Sequence, residues 1–217
     1  MDLLPRLLSG LGFTIAITVL AAAVGGALAI VVGLSRLSTK RPVRAVATTY
    51  VEVFRGSSAL VQIFFWFYVL PLLGLRLGPL ETSVIALGFN AGAYGSEVVR
   101  AAVLAVDRGQ REAAIALNMP YLLAMRRIIF PQALVAMLPP LGNLAIELMK
   151  STSLVSLIGL TELSFAGRQI LQTDGIARRE ETYLLTMVLY FALAYPTTLA
   201  IRWLERRLSR GLHLGRA

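Results

Sequence analysis

Residues 11–34 carry no charged side chain, and only small or hydroxyl residues interrupt their leucines, isoleucines and valines. The run exceeds the about 20 residues that take a helix across the hydrocarbon core of a bilayer. Once in lipid, its backbone groups have no water to bond and must be satisfied within the helix. One such run already sets the class as an all-α integral membrane protein. The 217-residue chain as a whole agrees, with 57% hydrophobic and 15% charged residues against roughly 45–50% and 25% in soluble domains. At this length, residues 1–217 read as a single transmembrane domain.

Arg6 alone precedes the first run, whereas Arg36, Lys40, Arg41 and Arg44 follow it. Lys and Arg collect on the cytoplasmic side, so the N-terminus is expected outside. The alanines at 21–23 imitate a signal-peptide cleavage site, but the apolar run continues past them and Asp2 spoils a basic leader. A retained first span is therefore expected. Residues 44–58 suit a membrane-surface helix, and a second span covers about 59–75, with the aromatic block Phe64 to Tyr68. Further spans are expected at about 82–106, 131–148 and 183–203, separated by loops rich in Gly, Pro or charge. Arg202, Arg206, Arg207, Arg210 and Arg216 put the C-terminus in the cytoplasm. Five spans, N-terminus out and C-terminus in, satisfy every charge cluster.

Several chemistries are excluded. The net charge of +9 is accounted for by cytoplasmic loops, so no nucleic-acid partner is expected. There is no cysteine, and the one histidine, His213, sits in the basic tail; no metal site is expected. A phosphate-cradling P-loop needs Gly before its Lys. The only lysines, Lys40 and Lys150, follow Thr39 and Met149. The chain is therefore not expected to hydrolyse ATP, and an enzyme would be left only a Ser-Lys or carboxylate mechanism.

The third span is the least ordinary. Gly88, Gly92 and Gly95 permit close helix approach. Asn90, Tyr94, Glu97 and Arg100 must face protein or water, because a charge at mid-bilayer costs at least about 2.5–3.5 kcal/mol. Glu97 and Arg100, three apart, can pair on one helix face; the pair is either structural or part of a solute route. The fourth span is broken by Pro139, Pro140 and Gly142 and ends with Glu147, Lys150 and Ser151. Asn90, Tyr94, Glu97 and Glu147 are therefore the candidates to line a polar route through the spans. Ser57, Ser58, Lys150 and Ser151 are candidates for an outer gate or a docking contact.

Residues 108–131 form the one long basic interruption. Glu112 suits the positive end of a short helix, and Asn118 suits the left-handed turn that ends one. Pro120 can open a second helix, and Pro131 a span. Here the chain resembles the permease subunits of bacterial ATP-binding-cassette importers. Their signature is Glu-Ala-Ala, three residues, Gly, nine residues, then Ile-x-Leu-Pro. The chain has Glu112-Ala113-Ala114, then Asn118, then Ile128-Ile129-Phe130-Pro131, departing at Asn118 and Phe130. Arg108-Gly109-Gln110 and Pro131-Gln132-Ala133 resemble the polar amino-acid group (histidine, glutamine and arginine type), as does Arg55-Gly56-Ser57-Ser58 without that group's proline. Residues 90–100 and 150–160 look like the ectoine/hydroxyectoine permeases.

The resemblance implies the type I importer permease fold in a bacterial inner membrane, multi-pass in the lipid bilayer. It implies a second permease subunit, identical or paralogous, two cytoplasmic ATPase subunits and an extracytoplasmic substrate-binding protein. ATP and Mg would be bound by the ATPase, with no cofactor on this chain, which would be a non-catalytic subunit. Residues 107–130 would hold the coupling helix, with Arg108, Gly109, Arg111, Glu112, Ala113, Ala114, Asn118 and Pro131 at the ATPase contact. Glu112 would meet a basic residue there, and the two alanines would allow close approach. The competing reading is a self-sufficient secondary transporter or channel, a class that often shows internal repeats; no clear repeat is visible between the halves.

Overall fold

The computed structural model describes residues 3–174 and 178–209, and all regular structure among them is helical. The chain starts with α1 (Leu3–Ser35), followed by α2 (Arg41–Gly56) and α3 (Ala59–Phe64). Next come α4 (Pro79–Ala105), α5 (Arg108–Ala116), α6 (Tyr121–Ala124) and α7 (Phe130–Ser151). The last two are α8 (Leu163–Asp174) and α9 (Arg179–Ser209).

α1 and α4 pack backbone to backbone. A Cβ on Gly25 would lie 3.0 Å from the Gly88 carbonyl, and one on Gly33 would lie 2.8 Å from that of Ser96. From the other side, Gly92 meets the Leu28 Cβ and Gly88 the Val24 side chain. The numbers rise together along both helices, so the two run parallel. Parallel neighbours cross the bilayer in the same sense, and the chain between them must come back. That return is bent: α2 meets the Ala59–Leu73 segment at 103°. The surface helix expected at 44–58 is thus the first limb of the return, with Ala47 and Val51 packed on Val32 of α1.

Two π-helical segments, Phe65–Val69 and Met125–Ile129, each stop two residues short of a proline, Pro71 and Pro131. Proline lacks the N–H for the helical ladder, and its ring crowds the carbonyl four residues back. Widening the preceding turn relieves both demands. The sequence predicts a helix start at Pro131; instead α6, the π segment, α7 and a 3-10 turn (Thr152–Ile158) form one helical rod, Tyr121–Ile158.

By length and composition α1, this rod and Arg179–Arg207 are each apolar enough to span, and the bent pair makes a fourth. The fifth expected crossing is α4, whose Asn90, Glu97, Arg100 and glycines dilute its apolar character. It packs along α1 and α7, where neighbours rather than lipid receive those groups. α9 is the opposite case. Tyr183, Met187, Phe191, Tyr195, Leu199 and Trp203 stand exposed at four-residue spacing. At the outer end, Arg6 bonds Asp174 at 2.8 Å, tying α1 to α8.

Candidate functional site

The expected Glu97–Arg100 pair forms, at 3.0 Å. It is part of something larger. Glu97 also accepts from Arg36 at the end of α1 and lies 3.5 Å from Arg55 of α2. One carboxylate thus joins α1, α2 and α4 through three guanidinium groups. Arg55 in turn sits over the Tyr94 ring, 5.2 Å from its centre.

A cavity of about 370 Å³ opens between α4 and the upper part of α7. Asn90 and Tyr94 form one wall and Glu147, Lys150 and Ser151 the other, with Leu87, Ala91, Leu144 and Leu148 between them. The Asn90 amide donates to the Phe54 carbonyl at 3.1 Å, leaving its own oxygen for the cavity. Ser151 donates to the Glu147 carbonyl at 2.9 Å. The space therefore offers a carboxylate, an ammonium, an amide oxygen and a phenol ring on an apolar floor. Glu97 is not among its lining residues; the ion cluster holds it.

Ser57 and Ser58 are not in the cavity either. Both occupy the bend between α2 and α3, where Ser58 precedes the first turn of α3 and Ser57 donates to the Val53 carbonyl. The residue that organises this bend, Gln62, has no sequence signature. It is buried and donates to the Phe54 carbonyl at 2.8 Å, the Ser57 carbonyl at 3.2 Å and the Ser57 hydroxyl at 2.9 Å. Tyr50 likewise pins α2 to α4 through the Phe89 carbonyl at 2.6 Å. Arg36, Arg55 and Tyr50 each find partners far away in sequence, which no local pattern announces, whereas Gln62 bonds back across the bend to Phe54 and Ser57.

The basic loop is ordered from its own start. The Asp107 carboxylate accepts the Gly109 N–H at 2.7 Å and caps α5. Asn118 has φ 52°, the left-handed conformation its position suggested, and no other non-glycine residue among those described has positive φ. Arg111 turns inward and donates to the Val103 carbonyl at 2.6 Å. Arg108, Gly109, Glu112 and Ala113 are exposed, whereas Ala114 is buried inside this chain. The two alanines of the signature therefore differ: Ala114 seats α5 on its own subunit and Ala113 faces away. Ile115, Leu117, Tyr121 and Leu122 are each about 70% exposed, an apolar rim around the charged α5. Pro131 lies within the rod, away from this rim.

The chain resembles proteins of known type along nearly all its length. Residues 25–210 match the family described as binding-protein-dependent transport system inner membrane component. A probable amino-acid ABC transporter permease protein of Sinorhizobium fredii is 40% identical over 215 residues, 96% of this chain and 90% of that protein. An L-cystine transport system permease protein of Bacillus subtilis is 37% identical, covering 95% of this chain and 88% of its own length. The glutamine transport system permease protein of Escherichia coli is 36% identical, covering 94% of both chains. Among solved structures, an amino acid ABC transporter crystallised with histidines superposes with a TM-score of 0.87 at 34% identity, covering 95% of this chain and 99% of that chain. An inward-facing methionine ABC transporter superposes with a TM-score of 0.80 at 19% identity, a likeness of fold alone.

Proposed function

Since the chain belongs to the family of inner membrane components of binding-protein-dependent transport systems, we propose that it is the non-catalytic permease subunit of an ATP-driven importer of polar amino acids or amino-acid-like compatible solutes. The observation that carries the solute class is the meeting of Asn90 and Tyr94 with Glu147, Lys150 and Ser151 around one cavity. An α-ammonium group fits between Glu147 and the Asn90 oxygen, and an α-carboxylate fits Lys150. The relatives named for cystine and glutamine support a polar amino acid. Ectoine and hydroxyectoine carry the same pair of charges and belong among the competitors to be tried.

In this reading two permease subunits, identical or paralogous, stand over two cytoplasmic ATPase subunits that bind ATP and Mg. An extracytoplasmic binding protein delivers the solute. Glu112 and Ala113 of α5, with the apolar rim, dock on the ATPase, which moves when ATP is bound. The Tyr121–Ile158 rod begins beside that contact and carries Glu147, Lys150 and Ser151 near its far end. A shift of its base therefore moves one wall of the cavity against α4. Alternating access follows if the two wall positions hold solute differently, since a ligand biases an equilibrium only through differential affinity.

The test is uptake by the complex reconstituted with its ATPase and binding protein, competed with glutamine, arginine, cystine and ectoine. Asn90→Leu and Glu147→Gln are expected to depress uptake while leaving ATPase association intact. Unchanged uptake in both variants, or uptake without the ATPase, would overturn the reading.

A further inference from the structure

We propose that a second cavity, beyond the 3-10 segment Thr152–Ile158, binds a zwitterionic head, a cationic nitrogen and an oxyanion joined by a few bonds. The proposal goes beyond the importer reading and rests on it only for one of the two sources of such a head. The cavity measures about 330 Å³ and shares no lining residue with the one at Asn90. Ser153, Ser156, Ser164, Arg168, Tyr183 and Thr186 supply its polar groups.

Where the hydroxyl protons go decides what it can hold. Ser153 donates to the Lys150 carbonyl at 2.8 Å, and Ser156 donates to that of Ser153. Thr186 donates to the Thr182 carbonyl at 2.8 Å. The Tyr190 hydroxyl gives its proton to Glu162 at 2.9 Å, so Ser164 is the donor in its 2.9 Å bond to Tyr190. A serine or threonine hydroxyl has one proton and two lone pairs. Four hydroxyl oxygens with committed protons therefore present only acceptors. Glu162 adds none, because its carboxylate is taken by the Ser164 N–H at 2.9 Å, the Phe165 N–H at 2.7 Å and Tyr190.

Two lining groups keep protons to give, Arg168 one turn beyond Ser164 on α8 and Tyr183 three residues before Thr186 on α9. Arg168 has no hydrogen bond to any described residue, and neither has the Tyr183 hydroxyl. Arg179 adds a further positive charge, 5.9 Å from the centre of the Tyr183 ring. A lone anion would turn toward Arg168 and face unneutralised hydroxyl lone pairs. A lone cation would meet the Arg168 and Arg179 guanidinium groups, against which stands only the Glu162 carboxylate, already engaged by three donors and by the charge of Arg168. A head carrying both charges satisfies both the hydroxyl acceptors and the Arg168 and Tyr183 donors.

Such a head has two sources, a free amino acid arriving from outside or a phosphoethanolamine lipid beside α9, where Tyr183, Leu184 and Met187 stand exposed. The experiment uses the assembled permease–ATPase complex, without binding protein, in nanodiscs. Radiolabelled L-glutamine, L-arginine and L-cystine probe the first source. Native mass spectrometry of nanodiscs holding phosphatidylethanolamine or only phosphatidylglycerol probes the second. Arg168→Gln is expected to weaken one binding component by about 10- to 100-fold, the worth of a charged hydrogen bond. Asn90→Leu should spare that component. Tyr183→Phe, which keeps the ring, stands in if Arg168→Gln does not assemble. An amino-acid component lost with Arg168 assigns the solute source; retained phosphatidylethanolamine lost with Arg168 assigns the lipid. Binding that ignores both substitutions, or Arg168-dependent retention of phosphatidylglycerol equal to that of phosphatidylethanolamine, overturns the proposal. If Asn90→Leu leaves amino-acid binding and uptake untouched while Arg168→Gln removes a component, the importer cavity is misplaced and this site stands.

Discussion

Gln62 and Asn90 donate hydrogen bonds to one acceptor, the Phe54 carbonyl, at 2.8 and 3.1 Å. The first belongs to the bend that brings the chain back across the membrane, the second to the wall of the cavity between α4 and α7. Geometry at the bend therefore reaches the cavity through this shared oxygen, as it does through Arg55 over the Tyr94 ring.

Replacing Gln62 by Leu removes an amide whose two protons are shared among three acceptors and leaves the Ser57 carbonyl without its Gln62 donor. The expected loss is about 1–3 kcal/mol, the penalty for an unsatisfied buried group. Thermal unfolding of the purified subunit should show a lower Tm, and solute affinity should change through Asn90. A Gln62→Leu protein with wild-type Tm and affinity would separate the bend from the cavity.

Glu97 holds three guanidinium groups, so Glu97→Gln leaves them mutually repelling. Removing one partner of a buried pair costs about 3–5 kcal/mol; with Glu97 a quarter exposed the loss should fall below that range. The expected outcome is poor membrane accumulation rather than selective loss of transport, while Arg100→Met is milder because Arg36 and Arg55 remain. Normal accumulation of Glu97→Gln with a specific loss of uptake would return this residue to the solute route.

The two signature alanines should part company. Ala113→Asp is expected to abolish copurification of the ATPase and leave the subunit's Tm unchanged. Ala114→Asp buries a carboxylate against its own subunit and should lower Tm as well. Identical behaviour of the two in both assays would contradict the packing of α5.

At the outer surface, the Arg6 guanidinium holds the Asp174 carboxyl below its ordinary value of 3.8. A carboxylate depressed in the folded state adds stability that is complete above the unfolded value and fades as pH falls through the folded one. The Tm difference between wild type and Asp174→Asn should therefore persist from pH 7 down to about 4 and vanish below. A difference that grows on acidification would show that Arg6 is not its partner.

The residues that were legible in the sequence are those whose reason is local. The run at 11–34, the glycines of α4, the Glu97–Arg100 spacing and the left-handed Asn118 each follow from a few neighbouring side chains. Asn90, Tyr94, Glu147, Lys150 and Ser151 could be named one by one because polar groups in a span need a reason, but their meeting across one cavity could not. Arg36 and Arg55 look like loop charges until α1 and α2 carry them to Glu97. The rod was hidden by Pro131, which reads as a helix start and is absorbed by a π turn. Ser57 and Ser58, beside Gln62, serve the bend.

The parallel contact of α1 with α4 also governs how the protein is made. Antiparallel helices can zip together as a hairpin when the second leaves the ribosome; parallel ones cannot. Gly33 is synthesised well before Ser96 and Val99, the residues it will touch. At 5–20 residues per second the interval is roughly 3–13 s. Throughout it the groove at Gly25 and Gly33 lies open to lipid and to the insertion machinery. A side chain added at either glycine would thus leave α1 inserted and orphaned, a target for membrane proteases before the chain is complete.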